Sequence, residues 1–200
     1  INDGATPLLI ACQEGHSDIV AKLLAADASV DQADDDGFTP LWVACQERHD
    51  EVISKLLAAN ADVNQATDDG ATPLFIASQN GHAEVVAKLL AANAKVDQAS
   101  DEGVTPLYIA SERGRTEVVT KLLAANAKAD QAPTCDDLRD GLAPLYMACE
   151  KGYTEIVSKL LAANADVNRA RADGYTPMYV ACEHGHLDVV KLLSSYGACR

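Results

Sequence analysis

The sequence predicts an all-α solenoid of stacked helix-turn-helix units, and three observations lead there. Thr-Pro or its equivalent recurs at Thr6-Pro7, Thr39-Pro40, Thr72-Pro73, Thr105-Pro106, Ala143-Pro144 and Thr176-Pro177, at spacings of 33, 33, 33, 38 and 33 residues. A fixed period in this range marks a repeat architecture. Each copy continues with two apolar stretches at helical spacing, parted by a polar turn and closed by a run such as Ala91-Ala92-Asn93-Ala94. One such unit cannot cover its own apolar face, so its neighbours must.

The third copy shows why each element forms. Thr72 can cap a helix through its hydroxyl, and Pro73 suits the first helical position, where no N–H is required. Leu74, Ala77 and Ser78 recur at helical spacing, and this short helix ends near Gly81. A second helix follows, with Val85, Val86, Leu89 and Leu90 as its buried stripe. Glu84 stands four residues before Lys88, and the pair recurs as Asp18/Lys22, Glu51/Lys55, Glu117/Lys121 and Glu155/Lys159. At about 0.3 kcal/mol each, such pairs mainly mark the solvated face. Asn93 occupies a left-handed capping position, taken by Asp27, Asn60, Asn126 and Asn164 in other copies and by Gly197 in the last. Between copies a polar finger such as Gln65-Ala66-Thr67-Asp68-Asp69-Gly70 reverses the chain.

Gly-x-Thr-Pro-Leu, then Ala, Gly-His, Val-Val, Leu-Leu and Ala-Asp-Val-Asn follow in that order, and over nearly the whole chain the pattern resembles the ankyrin repeat. The resemblance implies mainly α, L-shaped units with β-hairpin-like fingers, stacked into a solenoid that binds proteins through its finger tips and first helices. One domain of six units is expected over 1–200: about 2–34, 35–67, 68–100, 101–138 with five extra residues in the finger at 131–141, 139–171, and a C-terminal capping unit at 172–200. The resemblance also marks Asn64 and Asn168, each after Asp-Val, as possible targets of an asparagine hydroxylase, although shaping the turn is the favoured role.

Composition narrows the partners. With 16 basic and 30 acidic side chains the net charge is −14, which repels nucleic-acid phosphate and anionic lipid. No apolar run approaches the ~20 residues of a membrane-spanning helix, and no signal-peptide pattern opens the sequence. The six cysteines form no CxxC pair or dense framework, and no N-x-S/T acceptor is present, so a reducing compartment, cytoplasmic or else nuclear, is expected.

Departures from the repeat point to a surface. The position after Thr-Pro-Leu, where the ankyrin repeat usually carries His, holds Leu9, Trp42, Phe75, Tyr108, Tyr146 and Tyr179. These rings either stack from unit to unit as packing or floor a groove in which Trp42, the only tryptophan, is the anchor. The finger tips are acidic in the first copies (Asp34, Asp35 and Asp36, then Asp68 and Asp69, then Asp101 and Glu102) and mixed in the last, where Arg169 and Arg171 accompany Asp173. Such charge either maintains solubility or steers a basic partner. Partner contacts are expected at Asp35, Asp36, Asp68, Asp69, Asp101 and Glu102, joined by Phe38, Trp42, Gln46 and Glu47 in the second copy. Val104, Arg113 and Tyr175 extend the set. Leu138, apolar within the polar insertion, adds an anchor if that segment is a contact loop and not neutral drift.

Catalysis is not expected. Cys12/His16, Cys45/His49 and Cys182/His186 are four apart on a helix, but Ser78/His82, Ser111/Arg115 and Cys149/Tyr153 fill the same places. Packing positions recur, whereas an active site is a single constellation, so the cysteines are read as small buried hydrophobes. Helix spacing of about 8–10 Å argues against disulfides between copies. Cys182, His184 and His186 alone are too few for zinc, no P-loop, GxGxxG or GxSxG occurs, and neither metal nor cofactor is expected. Ser194 stands where Leu90 stands in the third copy, a substitution suited to an open end, while the complete unit directly after Ile1 implies further residues upstream. The expected function is a monomeric, non-catalytic protein-interaction module. The alternative is a spacer or elastic solenoid within a larger protein.

Overall fold

Each first helix starts as its sequence dictates. Thr72 is extended and its Oγ1 accepts the Phe75 N–H at 3.1 Å, with Pro73 as the first helical residue. Thr6, Thr39, Thr105 and Thr176 do the same for their helices. Each second helix instead follows His16, His49, His82, Arg115, Tyr153 or His186, none of which caps it with a side chain. Acidic residues in the first turn, such as Asp50 and Glu51, favour the positive end of the helix dipole. Asn93 ends its helix at φ 66°, with its N–H donating to the Leu90 carbonyl and the Ala94 N–H to the Leu89 carbonyl. This pairing satisfies two otherwise orphaned carbonyls.

The computed structural model describes residues 4–133 and 142–198, which form twelve α-helices and no β-strand. The chain divides into two compact units. In Ile1–Asp101 the repeats are α1 (Pro7–Gln13) with α2 (Ser17–Ala25), α3 (Pro40–Glu47) with α4 (Asp50–Ala58), and α5 (Pro73–Asn80) with α6 (Ala83–Ala91). First helices pack in the order α1, α3, α5, and α2 packs on α4. Glu102–Arg200 contains α7 (Pro106–Glu112) with α8 (Thr116–Ala124), α9 (Pro144–Glu150) with α10 (Thr154–Ala162), and α11 (Pro177–Glu183) with α12 (Leu187–Ser195). Here α9 packs between α7 and α11, and α10 between α8 and α12.

The core of each unit lies between successive repeats. Leu41, Cys45, Ile53 and Leu56 are fully buried in the first unit, and Leu145, Cys149, Ile156 and Leu160 in the second. The second leucine of the stripe is only half-buried at Leu57, Leu90 and Leu123, and becomes buried at Leu161. Three of the expected helix-face pairs form: Lys55 with Glu51 at 2.7 Å, Lys121 with Glu117 at 3.9 Å and Lys159 with Glu155 at 3.4 Å. Lys88 instead reaches back to the preceding repeat, where its Nζ donates to Asp50 Oδ1 at 2.8 Å and to the Asp50 carbonyl at 3.1 Å. Among the described residues the fingers are hydrogen-bonded reversals without strand pairing: Asp34 N–H donates to the Phe38 carbonyl, and Thr67 N–H to that of Ala71.

Candidate functional site

The finger tips of the first unit are held in register by their own backbone. Asp68 N–H donates to the Asp36 carbonyl at 3.2 Å, and Asp101 N–H to the Asp69 carbonyl at 3.0 Å. The approach is close because Gly37 adopts φ +82°, and a Cβ there would stand 2.8 Å from Asp68 N. Within the second finger Asp34 Oδ1 accepts the Phe38 N–H at 2.8 Å and the Asp36 N–H at 3.2 Å. Deeper in the fingers, Asp31 Oδ1 accepts the Asp62 N–H at 2.9 Å and Asn64 Oδ1 accepts the Lys95 N–H at 2.8 Å. These bonds fix the loops while the residues Asp35, Asp36, Asp68, Asp69 and Asp101 stay exposed; Asp69 Oδ1 also accepts the Thr67 hydroxyl within its finger.

Beside the tips, Phe38 is half-buried and meets the Trp42 ring at 4.5 Å between centroids. Trp42 is only 8% exposed and Val104 4%, so neither residue, expected from the sequence to be a contact, offers a partner appreciable surface in this structure. The Trp42 Nε1–H is buried and has no acceptor among the described residues. Gln46 is half-buried and Glu47 exposed at the end of α3, where the Gln46 amide donates to Glu47 Oε1 at 2.7 Å. In the second unit Glu102 and Arg113 are exposed, and the Arg113 guanidinium lies 3.7 Å from the Glu112 carboxylate. Tyr175 is exposed, stacked on Tyr179 at 4.3 Å, with the Arg171 guanidinium 5.7 Å from its ring. Leu138 lies outside the described residues.

The recurring histidines have a function in packing that their spacing from cysteine did not disclose. His49 Nε2 pairs with the Gln13 carbonyl at 2.9 Å, His82 with that of Gln46 at 3.1 Å, and His186 with that of Glu150 at 2.9 Å. Each ring therefore ties its repeat to the one before. The usable signal was recurrence just before each second helix, where the ring leaves its own helix uncapped. Cys12, Cys45 and Cys149 are free and buried; burial pushes the Cys12 thiol up to about 12 and also raises Cys45 and Cys149. Thiols kept protonated in this way are poor nucleophiles and poor metal ligands. Among the described residues no group of three or more His, Cys, Asp or Glu side chains converges as a metal site, and no helix is long and apolar enough to cross a membrane.

Comparison with known proteins places this geometry. A family model described as ankyrin repeats, three copies, matches residues 1–67, 55–132 and 127–199. Among solved structures, the human ASB11 ankyrin repeat domain superposes with a TM-score of 0.82 at 32% sequence identity, covering 98% of this chain and 85% of that one. No curated protein matches the sequence. The family match, the solved structure and the six Thr-Pro or Ala-Pro units lead to one conclusion: this chain belongs to the ankyrin repeat family.

Proposed function

We propose that the exposed finger tips of the first unit, Asp35, Asp36, Asp68, Asp69 and Asp101, dock a protein partner through a basic surface on that partner. Ankyrin repeats are in general non-catalytic protein-interaction modules, and the acidic tips give this one its chemical preference. The observation that carries the reading is the backbone ladder from Asp36 to Asp68 and from Asp69 to Asp101, which sets exposed aspartates one repeat apart. Because the loops are already ordered, binding spends little free energy on fixing them. Phe38, Gln46 and Glu47 of the second repeat supply contacts that charge alone does not. In the second unit, the exposed Glu102, Arg113 and Tyr175 supply further contacts of mixed character.

Electrostatic attraction of this kind mainly speeds association and weakens as salt rises. A variant with all five tip aspartates changed to asparagine keeps the shape and removes the charge. Proteins captured by the wild type at low salt should be lost by this variant and by the wild type at high salt. Equal capture by both proteins, with circular dichroism unchanged, overturns the basic-partner reading.

A further inference from the structure

Among the described residues, six other than glycine hold a left-handed φ, and five of them are Asp27, Asn60, Asn93, Asn126 and Asn164, types that tolerate it. The sixth is Arg48, at φ 62°. It caps α3 as Gly81 caps α5, and its counterparts in the other repeats are Gly15, Gly81, Gly114, Gly152 and Gly185. The place is crowded as well as strained: a Cβ on Gly15 or Gly152 would stand 2.6 Å from the His49 or His186 ring of the following repeat. Glycine meets both demands, and the second repeat alone carries a side chain here.

Little in the fold offsets that cost. The Arg48 N–H donates to the Ala44 carbonyl, a bond that glycine would make equally well. The guanidinium lies 3.9 Å from Asp50, with the side chain 60% exposed. Asp50 is already engaged, since its other carboxylate oxygen accepts Lys88 Nζ at 2.8 Å. An exposed pair this long contributes almost nothing. Arg113 and Lys151, which also follow a glutamate at the end of a first helix, lie 3.7 and 3.5 Å from Glu112 and Glu150 and keep negative φ values. Glu47 instead turns its carboxylate to the Gln46 amide, at 2.7 Å.

We infer that Arg48 is a specificity-determining contact whose guanidinium takes a carboxylate, an Asp or Glu side chain, on the protein partner. Strain that a fold keeps without local return marks a position held for function. The planar guanidinium fork matches a carboxylate in bidentate fashion. The first unit carries 17 acidic and 5 basic side chains, so a singly charged carboxylate is accepted where a phosphate dianion is repelled. Resting on the docking surface proposed above, this contact adds to it: Arg48 follows Gln46 and Glu47 in the chain, and a partner that is basic opposite the tips presents one acid opposite Arg48. The tips supply attraction. The single reversed charge fixes register, because a partner shifted along the surface sets its own cation against Arg48.

Short labelled peptides of lysine, arginine and alanine, each with one glutamate moved stepwise along the sequence, are titrated against the 200-residue chain at low salt by fluorescence anisotropy. One glutamate register should bind several-fold more tightly than the peptide with alanine at that place. Arg48→Gly and Arg48→Gln should both abolish this gain, and Arg48→Gly should also melt above the wild type through relief of the backbone. The absence of a favoured register, a gain that survives both substitutions, or an Arg48→Gly protein that melts at or below the wild type overturns the inference. Phosphoserine that binds more tightly than glutamate at the favoured place overturns the carboxylate assignment. The variant with all five tip aspartates changed to asparagine separates this contact from the reading on which it rests. Unchanged affinity of that variant for the alanine peptide fails the basic-partner reading alone, whereas tip-dependent binding without a glutamate register fails the Arg48 contact alone.

Discussion

Gly37 and Gly174 occupy the same place in two fingers and both hold a left-handed φ, +82° and +90°, but their surroundings differ. A side chain at either costs about 1–2 kcal/mol for the backbone conformation alone. At Gly37 the added Cβ also meets Asp68 N at 2.8 Å, a backbone atom that cannot move without disturbing the ladder, whereas at Gly174 it meets nothing. Gly37→Ala is therefore expected to lower the unfolding free energy by clearly more than Gly174→Ala, as measured by urea denaturation of the two variants; equal losses would show that the ladder gives way. Residues whose task is local were legible in the sequence: Thr72 as a cap, Asn93 as a left-handed terminator. Trp42 was legible only as two alternatives, packing or groove anchor, because its burial depends on how α3 meets the neighbouring first helices.

Among the elements, α9 starts differently from the other first helices. Its preceding residue, Ala143, is extended at φ −71° and ψ 157°, the conformation of a cap, but it has no hydroxyl and makes no capping bond. The equivalent Thr39, Thr72 and Thr105 are as buried as Ala143, so the position accepts a threonine. Ala143→Thr should raise stability by about 1 kcal/mol through a bond to the Tyr146 N–H. Thermal melts of the variant check this, and no gain would mean that the site is too tight. Helix starts, stops and apolar stripes followed from spacing alone. The Lys88 contact with Asp50 did not, because Glu84 is the closer partner in sequence and only the packing of α6 beside α4 brings Asp50 within reach.

For the whole molecule, three buried thiols couple stability to alkaline pH. Their folded values are raised above the ordinary 9.0, with Cys12 at about 12, by burial. As pH climbs, the unfolded chain loses these protons first, so the stabilising effect is complete below about pH 9 and is lost as pH rises through the folded values. The loss approaches about 1.4 kcal/mol per pH unit for each thiol. Urea midpoints measured near pH 8 and near pH 10 should fall for the wild type and fall less when Cys12, Cys45 and Cys149 are replaced by alanine. The repeat, its period, its helices and its acidic tips were determined by sequence alone, because each rests on interactions within one unit's length of chain. Which rings are covered and which carbonyls receive His49, His82 and His186 were decided by tertiary structure. Those outcomes depend on which surfaces successive repeats press together, and local spacing carries no record of that.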